Sequence, residues 1–288
     1  MWACVLRSDQ LLRRIVSACV AGAIWVSAAL ADAPGRVVSI NLCTDQLAML
    51  VAAPDQLVSV SYLAFDPRGS AMADQAAQYQ ANHGLAEEIY LMQPDLVIAG
   101  SFSSRATVDM LERLGIPVAV FEPAYGLDEV RERLTQMGAV LGQEETAAAL
   151  VADFDTRLAA LRTGDGPRPR AALYYANGYT SGDRTLAGQI LNAAGFENAA
   201  EVAGFSDGGI LPLELLALLD PDMLITGQRY PGASRSEEIL DHPVVAALRD
   251  SRATGTLTDR DWVCGTPYAL RAIEGLAQVR RDMLAAAQ

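Results

Sequence analysis

The chain has 288 residues, of which 51% are hydrophobic and 20% are charged, a balance typical of a globular protein with a large core. Its formal net charge is −13 and it contains no lysine, which excludes a Walker-type phosphate lysine, a Schiff-base lysine and a Ser-Lys nucleophile pair. The acidity also argues against nucleic acid or anionic lipid as a partner.

Residues 1–31 predict a cleavable export signal. Three arginines between positions 7 and 14 form a basic start, an apolar run follows from Ile15 to Leu30, and Ala29-Leu30-Ala31 supplies a small-x-small cleavage pattern. We therefore expect cleavage after Ala31 and a periplasmic protein with no membrane insertion. An uncleaved anchor and a lipoprotein signal ending at Cys19 are the alternatives.

Residues 36–143 predict a first α/β lobe. Its predicted strands lie at 36–41, 56–61, 96–99 and 117–121, and its predicted helices start at Gln46 and cover 104–114. The four residues "LCTD" after the first strand suggest a turn, and the polar stretch 66–84 suggests a loop or irregular helix. Strands that alternate with helices of about ten residues indicate parallel βα units.

Residues 144–163 predict a helix that links this lobe to a second one. Leu150, Phe154, Leu158 and Leu161 form one apolar stripe at helical spacing, and the sequence "TGDGPRPR" at 163–170 ends the pattern. Residues 168–288 repeat the α/β pattern. The predicted second-lobe elements are a strand at 171–176, a helix at 185–194, a strand at 255–257 and a closing helix at 268–286. The fold class is α/β, with two Rossmann-like lobes containing parallel sheets and one long rigid helix between them.

A short helix-to-strand unit occurs twice, as "LAEEIYLMQPDLVIAG" at 85–100 and "LPLELLALLDPDMLITG" at 211–227. Glu87 precedes Pro94 by seven residues, and Glu214 precedes Pro221 by the same offset. One such glutamate is most simply a solvated helix residue, but two at equivalent positions suit a partner that offers two arginine sites. This predicts a docking surface.

Motifs for catalysis are absent from the sequence, which has no G-x-S-x-G elbow, no H-E-x-x-H and no G-x-G-x-x-G after a strand. The two histidines, His83 in a loop and His242 at a surface helix start, are too few for a His-rich zinc site. We expect no enzyme activity, no catalytic residues, no metal site and no cofactor. Cys43 and Cys264 remain after export, and an even count in an oxidising compartment favours a disulfide over two unrelated small side chains.

The chain resembles the periplasmic substrate-binding proteins of the helical-linker class, which serve ABC importers of iron–siderophore complexes, haem and cobalamin. The stretches that carry the resemblance are "RVVSINLCTDQL", "AEEIYLMQPDLVIAG", "LGIPVAVFEP", "TSGDRTLAGQILNAAGFEN", "LPLELLALLDPDMLITG" and "DWVCGTPYALRAIEGL". The resemblance implies that Glu87 and Glu214 dock on arginines of a two-fold permease, with Glu88 as the substitute if the register is off by one. It also implies a monomer and limited lobe closure.

The resemblance further implies a ligand cleft between the lobes, lined by the loops that follow the strands. The candidate ligand-binding residues are Cys43, Thr44, Tyr62, His83, Ser101, Phe102, Tyr179, Ser206, Tyr230 and Trp262. Arginines in candidate loops that could bind an anionic siderophore are Arg68, Arg105, Arg184, Arg229 and Arg235. On the family pattern Cys43 and Cys264 lie in cleft-side loops of opposite lobes, so a disulfide would hold the cleft nearly closed.

The sequence leaves the ligand open among a cobalamin or other corrinoid, a ferric siderophore and haem. Two other function classes also remain. One is an exported chelate-processing enzyme on the same scaffold, for which Cys43 and His83 are the only reactive candidates. The other is a ligand sensor that uses the cleft without transport.

Overall fold

The computed structural model describes residues 33–162, 166–229, 232 and 234–287. The predicted export signal at 1–31 and the candidate residue Tyr230 lie outside these residues. Within the described ranges, no helix combines the length and the hydrophobicity needed to cross a membrane.

The first lobe is a five-stranded parallel sheet with strand order β3-β2-β1-β4-β5. Its strands are β1 (Val37–Ser39), β2 (Leu57–Ser61), β3 (Gln80–Asn82), β4 (Leu96–Gly100) and β5 (Val118–Phe121). Its helices are α1 (Leu42–Val51), α2 (Ala73–Ala76), α3 (Ala86–Leu91), α4 (Arg105–Arg113) and α5 (Leu127–Leu141), with a 3₁₀ turn at Tyr62–Phe65. The central strands β1 and β4 are buried and mostly apolar, as expected for parallel strands that helices cover on both faces of the sheet, although β1 ends in the buried Ser39.

Helix α6 (Glu144–Leu161) connects the lobes. Two glutamates in its first turn complement the positive end of the helix dipole, and its 18 residues give a rod of about 27 Å. The predicted stripe is buried at Phe154 and Leu158, and the helix packs on α5 of the first lobe and on α12 (Ala269–Ala286) of the second. One apolar cluster therefore contains residues of both lobes and of α6.

The second lobe is a four-stranded parallel sheet with strand order β11-β10-β6-β8, beside a two-stranded antiparallel sheet of β7 and β9. Its strands are β6 (Arg170–Tyr174), β7 (Tyr179–Thr180), β8 (Glu197–Asn198), β9 (Gly209–Ile210), β10 (Met223–Gly227) and β11 (Ala253–Leu257). Its other helices are α7 (Leu186–Ala193), α8 (Ala199–Val202), α9 (Leu213–Leu219), α10 (Pro243–Ser251) and α11 (Asp259–Trp262), with 3₁₀ turns at Ala176–Gly178 and Arg235–Asp241. The predicted class, two α/β lobes with parallel sheets joined by one long helix, is confirmed.

Several local predictions are wrong. The residues "LCTD" form the first turn of α1 because the Asn41 side chain accepts a hydrogen bond from the backbone N of Cys43 at 3.0 Å and caps the helix. The stretch 66–84, predicted as a loop or irregular helix, contains the short helix α2 and also the strand β3, which was not predicted. Strand β3 forms by pairing its backbone with β2 although its side chains are not β-formers. Helix α5 was not predicted, whereas α10 begins where His242 was predicted to start a helix.

Candidate functional site

The carboxyl ends of all five parallel strands meet at one edge of the first sheet. Tyr62, His83, Ser101 and Glu122 directly follow β2 to β5 at this edge, and Asn41 is the second residue after β1. The order of the strands reverses between β1 and β4, so the loops after these two strands diverge and leave a crevice. In open α/β sheets this is where ligands bind.

A disulfide between Cys43 and Cys264 crosses from this crevice to the second lobe. Cys43 lies in the first turn of α1, and Cys264 lies between α11 and α12, at a sequence separation of 221. Their Cα atoms are 4.7 Å apart. The bond removes both thiols as nucleophiles or metal ligands and holds the two lobes together at this end of their interface.

A cavity of about 70 Å³ lies beside the disulfide. Its polar and sulfur-bearing walls come from Asn41, Thr44, Ser101, Glu122, Arg133 and the two cysteines. Pockets for drug-sized ligands occupy roughly 300–1,000 Å³. The cavity is therefore too small to enclose a metal chelate while the lobes are held as they are.

Three aromatic side chains, Tyr62, His83 and Phe102, stand exposed along the same sheet edge, and we call them the aromatic rim. The rings of Tyr62 and His83 stack with centroids 5.4 Å apart. Tyr62 is 52% exposed and Phe102 is 80% exposed. Exposed aromatic rings at the carboxyl edge of a sheet offer apolar faces to a planar or bulky ligand.

The hydroxyl candidates are occupied by hydrogen bonds within the protein. The Thr44 hydroxyl is buried and pairs with the Ser39 hydroxyl at 2.8 Å. Ser101 Oγ donates to Glu122 at 2.7 Å, and Ser206 Oγ donates to Glu201 at 2.8 Å. A ligand would have to compete with these carboxylates to reach either serine.

On the second lobe, Trp262 stacks on Tyr175 with ring centroids 6.0 Å apart. Among the described residues neither the Tyr175 hydroxyl nor Trp262 Nε1 has a hydrogen-bond partner, although both atoms are buried. Burial, followed by the negative charge of Asp259, raises the pKa of Tyr175. Sequence reasoning missed Tyr175, although its position directly after β6 marks it as a residue of the sheet edge.

Tyr179, in β7, is 44% exposed.

Most of the candidate arginines are already paired. Arg68 binds Asp66 through both carboxylate oxygens, Arg184 lies 2.6 Å from Asp207, and Arg229 lies 2.7 Å from Asp241. The pKa of Asp66 is lowered to about 2, chiefly by the Arg68 hydrogen bonds. Arg105 and Arg235 are exposed. Three of the five candidate arginines are thus compensated by aspartates, which leaves Arg105 and Arg235 for an anionic ligand.

Asp45 is a buried carboxyl beneath the same sheet edge. Its Oδ2 accepts a hydrogen bond from the Ser61 hydroxyl at 2.5 Å, while its Oδ1 has no partner in the part of the chain that the structure describes. Burial raises the pKa of Asp45 to about 6, and hydrogen bonds from Ser39 and Ser61 offset only part of that effect. Sequence reasoning missed this residue because an aspartate in a first helical turn is normally solvated.

The repeated glutamates occupy equivalent places. Glu87 is the second residue of α3 and Glu214 is the second residue of α9, and both are exposed. Neither has an ion pair or side-chain hydrogen bond within the described ranges. Glu88 differs, because its carboxylate accepts a hydrogen bond from the backbone N of His83 at 2.7 Å and lies 3.3 Å from His83 Nδ1. Glu87 is therefore the freer of the two neighbours.

The next feature is the arrangement of possible metal ligands. No group of three or more His, Cys, Asp or Glu side chains with metal-ligand geometry occurs in residues 33–162, 166–229 and 234–287. His242 lies at the start of α10, where its ring nitrogen accepts a hydrogen bond from the backbone N of Val244. It takes no part in the sheet edges described above.

Known proteins with similar sequences carry binding-protein names. A cobalamin-binding protein of Halobacterium salinarum is 31% identical over 199 residues, which are 67% of this chain and 54% of the relative. A vitamin B12-binding protein of Pectobacterium carotovorum is 27% identical over 172 residues, covering 57% of this chain and 61% of the relative. This chain therefore matches between half and two thirds of the length of these relatives.

The fold is shared with solved periplasmic proteins. The periplasmic heme-binding protein HutB of Vibrio cholerae superposes with a TM-score of 0.71 over 85% of this chain and 98% of its own, at 18% identity. The superposition shows a common two-lobed architecture, and at this identity it shows nothing about the ligand. The family described as periplasmic binding protein matches residues 37–253, from β1 to the start of β11. The chain belongs to this periplasmic binding protein family.

Proposed function

We propose that this chain is the solute-binding subunit of an ABC importer, which binds a metal chelate between its lobes and delivers it to a membrane permease. The observation that carries the proposal is the pair Glu87 and Glu214, which are exposed at equivalent positions of the two lobes and have no ion pair among the described residues. Two carboxylates presented in this way suit a two-fold partner with one arginine site per subunit. The mature protein would be a periplasmic monomer released by cleavage after Ala31, with lobes at 36–143 and 168–288 and a linker at 144–163.

We propose a corrinoid as the ligand, ahead of haem or an anionic ferric siderophore. Relatives at 31% and 27% identity are named for cobalamin or vitamin B12. Three of the five candidate arginines are neutralised by aspartates, so an anionic chelate would gain little from them. The aromatic rim instead offers apolar contact to a large ring system.

Because the cavity at the disulfide holds only about 70 Å³, the chelate would lie between the facing rims of the two lobes at the mouth of the crevice, and the lobes would have to separate to admit it. Tyr62, His83 and Phe102 would contact it from the first lobe, and Tyr179 and Trp262 from the second. Cys43, Thr44, Ser101 and Ser206 would lie deeper and shape the crevice through the hydrogen bonds given above. In this proposal the metal arrives inside its chelate, and the described residues contain no metal-ligand cluster.

The test is a titration of the protein without residues 1–31, in which Trp262 is the only tryptophan. Its emission is followed with cobalamin, haem and ferric siderophores, corrected for ligand absorbance and checked by calorimetry. Saturable one-to-one binding of cobalamin supports the proposal. Saturable binding of haem or a siderophore alone would overturn the ligand assignment, and no binding to any of them would overturn the function.

The alternatives of an exported chelate-processing enzyme and of a sensor make different predictions. The disulfide removes Cys43 as a thiol nucleophile, which leaves His83 as the one reactive candidate named from the sequence. Conversion of the chelate on prolonged incubation would favour the enzyme. Binding without any dependence of uptake on Glu87 and Glu214 would favour the sensor.

A further inference from the structure

Each of the two short helices α3 and α9 carries an exposed leucine one turn after its glutamate. Leu91 is the sixth residue of α3 and is 80% exposed, and Leu218 is the sixth residue of α9 and is 81% exposed. Residues four apart lie on the same face of a helix. Glu87 with Leu91 and Glu214 with Leu218 therefore form two matching acidic–apolar pairs, which we call the docking pairs.

The exposure of these leucines is not explained by the packing of either lobe. Helices α3 and α9 already bury their inward faces through Ile89 and through Leu216 and Leu219, respectively. Leu91 also borders an apolar groove of about 260 Å³ between α3 and α4, whose other walls include Tyr90, Met110 and Leu114. Grouped exposed apolar side chains of this kind mark surfaces that bind another protein.

We propose that the docking pairs are composite contacts, in which Leu91 and Leu218 each enter an apolar recess beside the cation that binds the neighbouring glutamate. The partner is a membrane permease with two-fold symmetry whose subunits each present an arginine next to such a recess. This inference rests on the proposed function and extends it from the charges to the apolar part of the interface.

Charge complementarity selects this partner. Both carboxylates are unpaired in the described part of the chain, and the whole protein has a net charge of −13. A second copy of the chain would bring like charges together, and an anionic lipid surface would repel them. A partner with cations at two equivalent positions matches the repetition of the pairs in the two lobes.

The apolar contacts differ from the ion pairs in how they respond to salt. An ion pair at the rim of an interface weakens as salt is added, whereas burial of a leucine does not. A leucine that moves from water into a recess strengthens binding by roughly tenfold or more. The two components of a docking pair can therefore be separated by salt as well as by substitution.

The experiment measures binding to the ABC permease of the source organism that accepts the wild-type protein, reconstituted in lipid nanodiscs. The variants are Leu91→Ser with Leu218→Ser, Glu87→Gln with Glu214→Gln, and the control Val120→Ser. Val120 is a 44% exposed apolar residue on the edge strand β5 and belongs neither to α3 or α9 nor to the walls of the groove beside Leu91. Ligand affinity, followed by Trp262 emission, checks that each variant is folded.

We expect the leucine variant to lose at least about tenfold in permease affinity at both low and high salt. The permease affinity of Val120→Ser and the ligand affinity of every variant should stay unchanged. The inference is overturned if the leucine variant binds like the wild type. It is also overturned if ultracentrifugation shows a wild-type dimer that this variant abolishes, since the leucines would then form a contact between copies. If no permease of the organism binds the wild-type protein, the proposed function itself fails.

Discussion

Cys43 and Cys264 are bonded across 221 residues of chain, and their bond joins the start of the first helix of one lobe to the segment before the last helix of the other. Helix α6 connects the same lobes covalently at 144–161 and packs on both. The lobes are thus linked at two places, which restricts their relative motion more than a single linker helix would.

Replacing both cysteines by serine should lower the free energy of unfolding. In the chain-entropy account, closing a loop of this length stabilises a protein by up to about 5 kcal/mol, and measured values are commonly 2–4 kcal/mol. Urea unfolding of Cys43→Ser with Cys264→Ser, compared with the wild type, measures the difference. Reductant should destabilise the wild type and leave the double variant unchanged; an identical response of the two proteins would show that the bond does not form.

The same double variant should bind its ligand faster. The crevice beside the disulfide holds only about 70 Å³, so a chelate can enter the space between the lobes only if they separate. Without the bond the lobes are freer to open, and the association rate from stopped-flow Trp262 emission should rise several-fold. A rate that is unchanged in the variant would mean that the ligand binds outside the bridged region.

Replacing Glu87 and Glu214 together by glutamine should abolish uptake while ligand affinity is retained. The carboxylates lie on α3 and α9, and their loss removes the charge that would bind the permease arginines. Glu88→Gln is the matched control, because Glu88 is hydrogen-bonded to His83 within the protein. Uptake of labelled ligand into cells that carry each variant gives the comparison, and normal uptake by the double variant would refute docking through these residues.

Long, regular patterns were predictable from the sequence. The stripe of α6 has the helical period over eighteen residues. The repeated unit, which ends in β4 in one lobe and in β10 in the other, contains a helix, a turn and an apolar strand. In these segments local preference and tertiary structure favour the same conformation. The two glutamates were visible for the same reason, since their spacing to Pro94 and Pro221 is a local property.

Other features depend on contacts between residues that are far apart in sequence, which short-range sequence patterns do not reveal. The strand β3 has little intrinsic β preference and exists because its backbone pairs with β2. Tyr175 and Trp262 are 87 residues apart in sequence and stack only once β6 and α11 are in place. The burial of Asp45 likewise depends on the sheet that covers α1.

Replacing Phe102 by alanine should weaken ligand binding by roughly tenfold. Phe102 is 80% exposed at the end of β4 and would lose most of that exposure against a bound chelate. Leu114→Ala is the control, since Leu114 is also exposed but lies near α3, away from the aromatic rim. Calorimetric titration of both variants with cobalamin measures the effect, and equal losses in the two would rule out a specific role for Phe102.

The free energy of unfolding of Asp45→Asn, relative to that of the wild type, should be higher at neutral pH than at acid pH. The pKa of Asp45 is about 6 in the folded protein and near 3.8 when the carboxyl is solvated, because burial disfavours its charged form. A carboxyl with a raised folded pKa binds more protons in the folded state. The wild type therefore loses stability through this group as pH rises between these two values, and the asparagine variant does not.

The loss between pH 4 and pH 7.5 amounts to about 2 kcal/mol. Urea unfolding at both pH values gives the stability of the variant relative to the wild type, and that difference should move in favour of asparagine by this amount as pH is raised. The substitution also alters the hydrogen bond from Ser61, but it does so at both pH values. This contribution therefore cancels when the difference between the two proteins is compared between the two pH values. A difference that does not depend on pH would mean that Asp45 is hydrated, and the crevice above it would then be open to water.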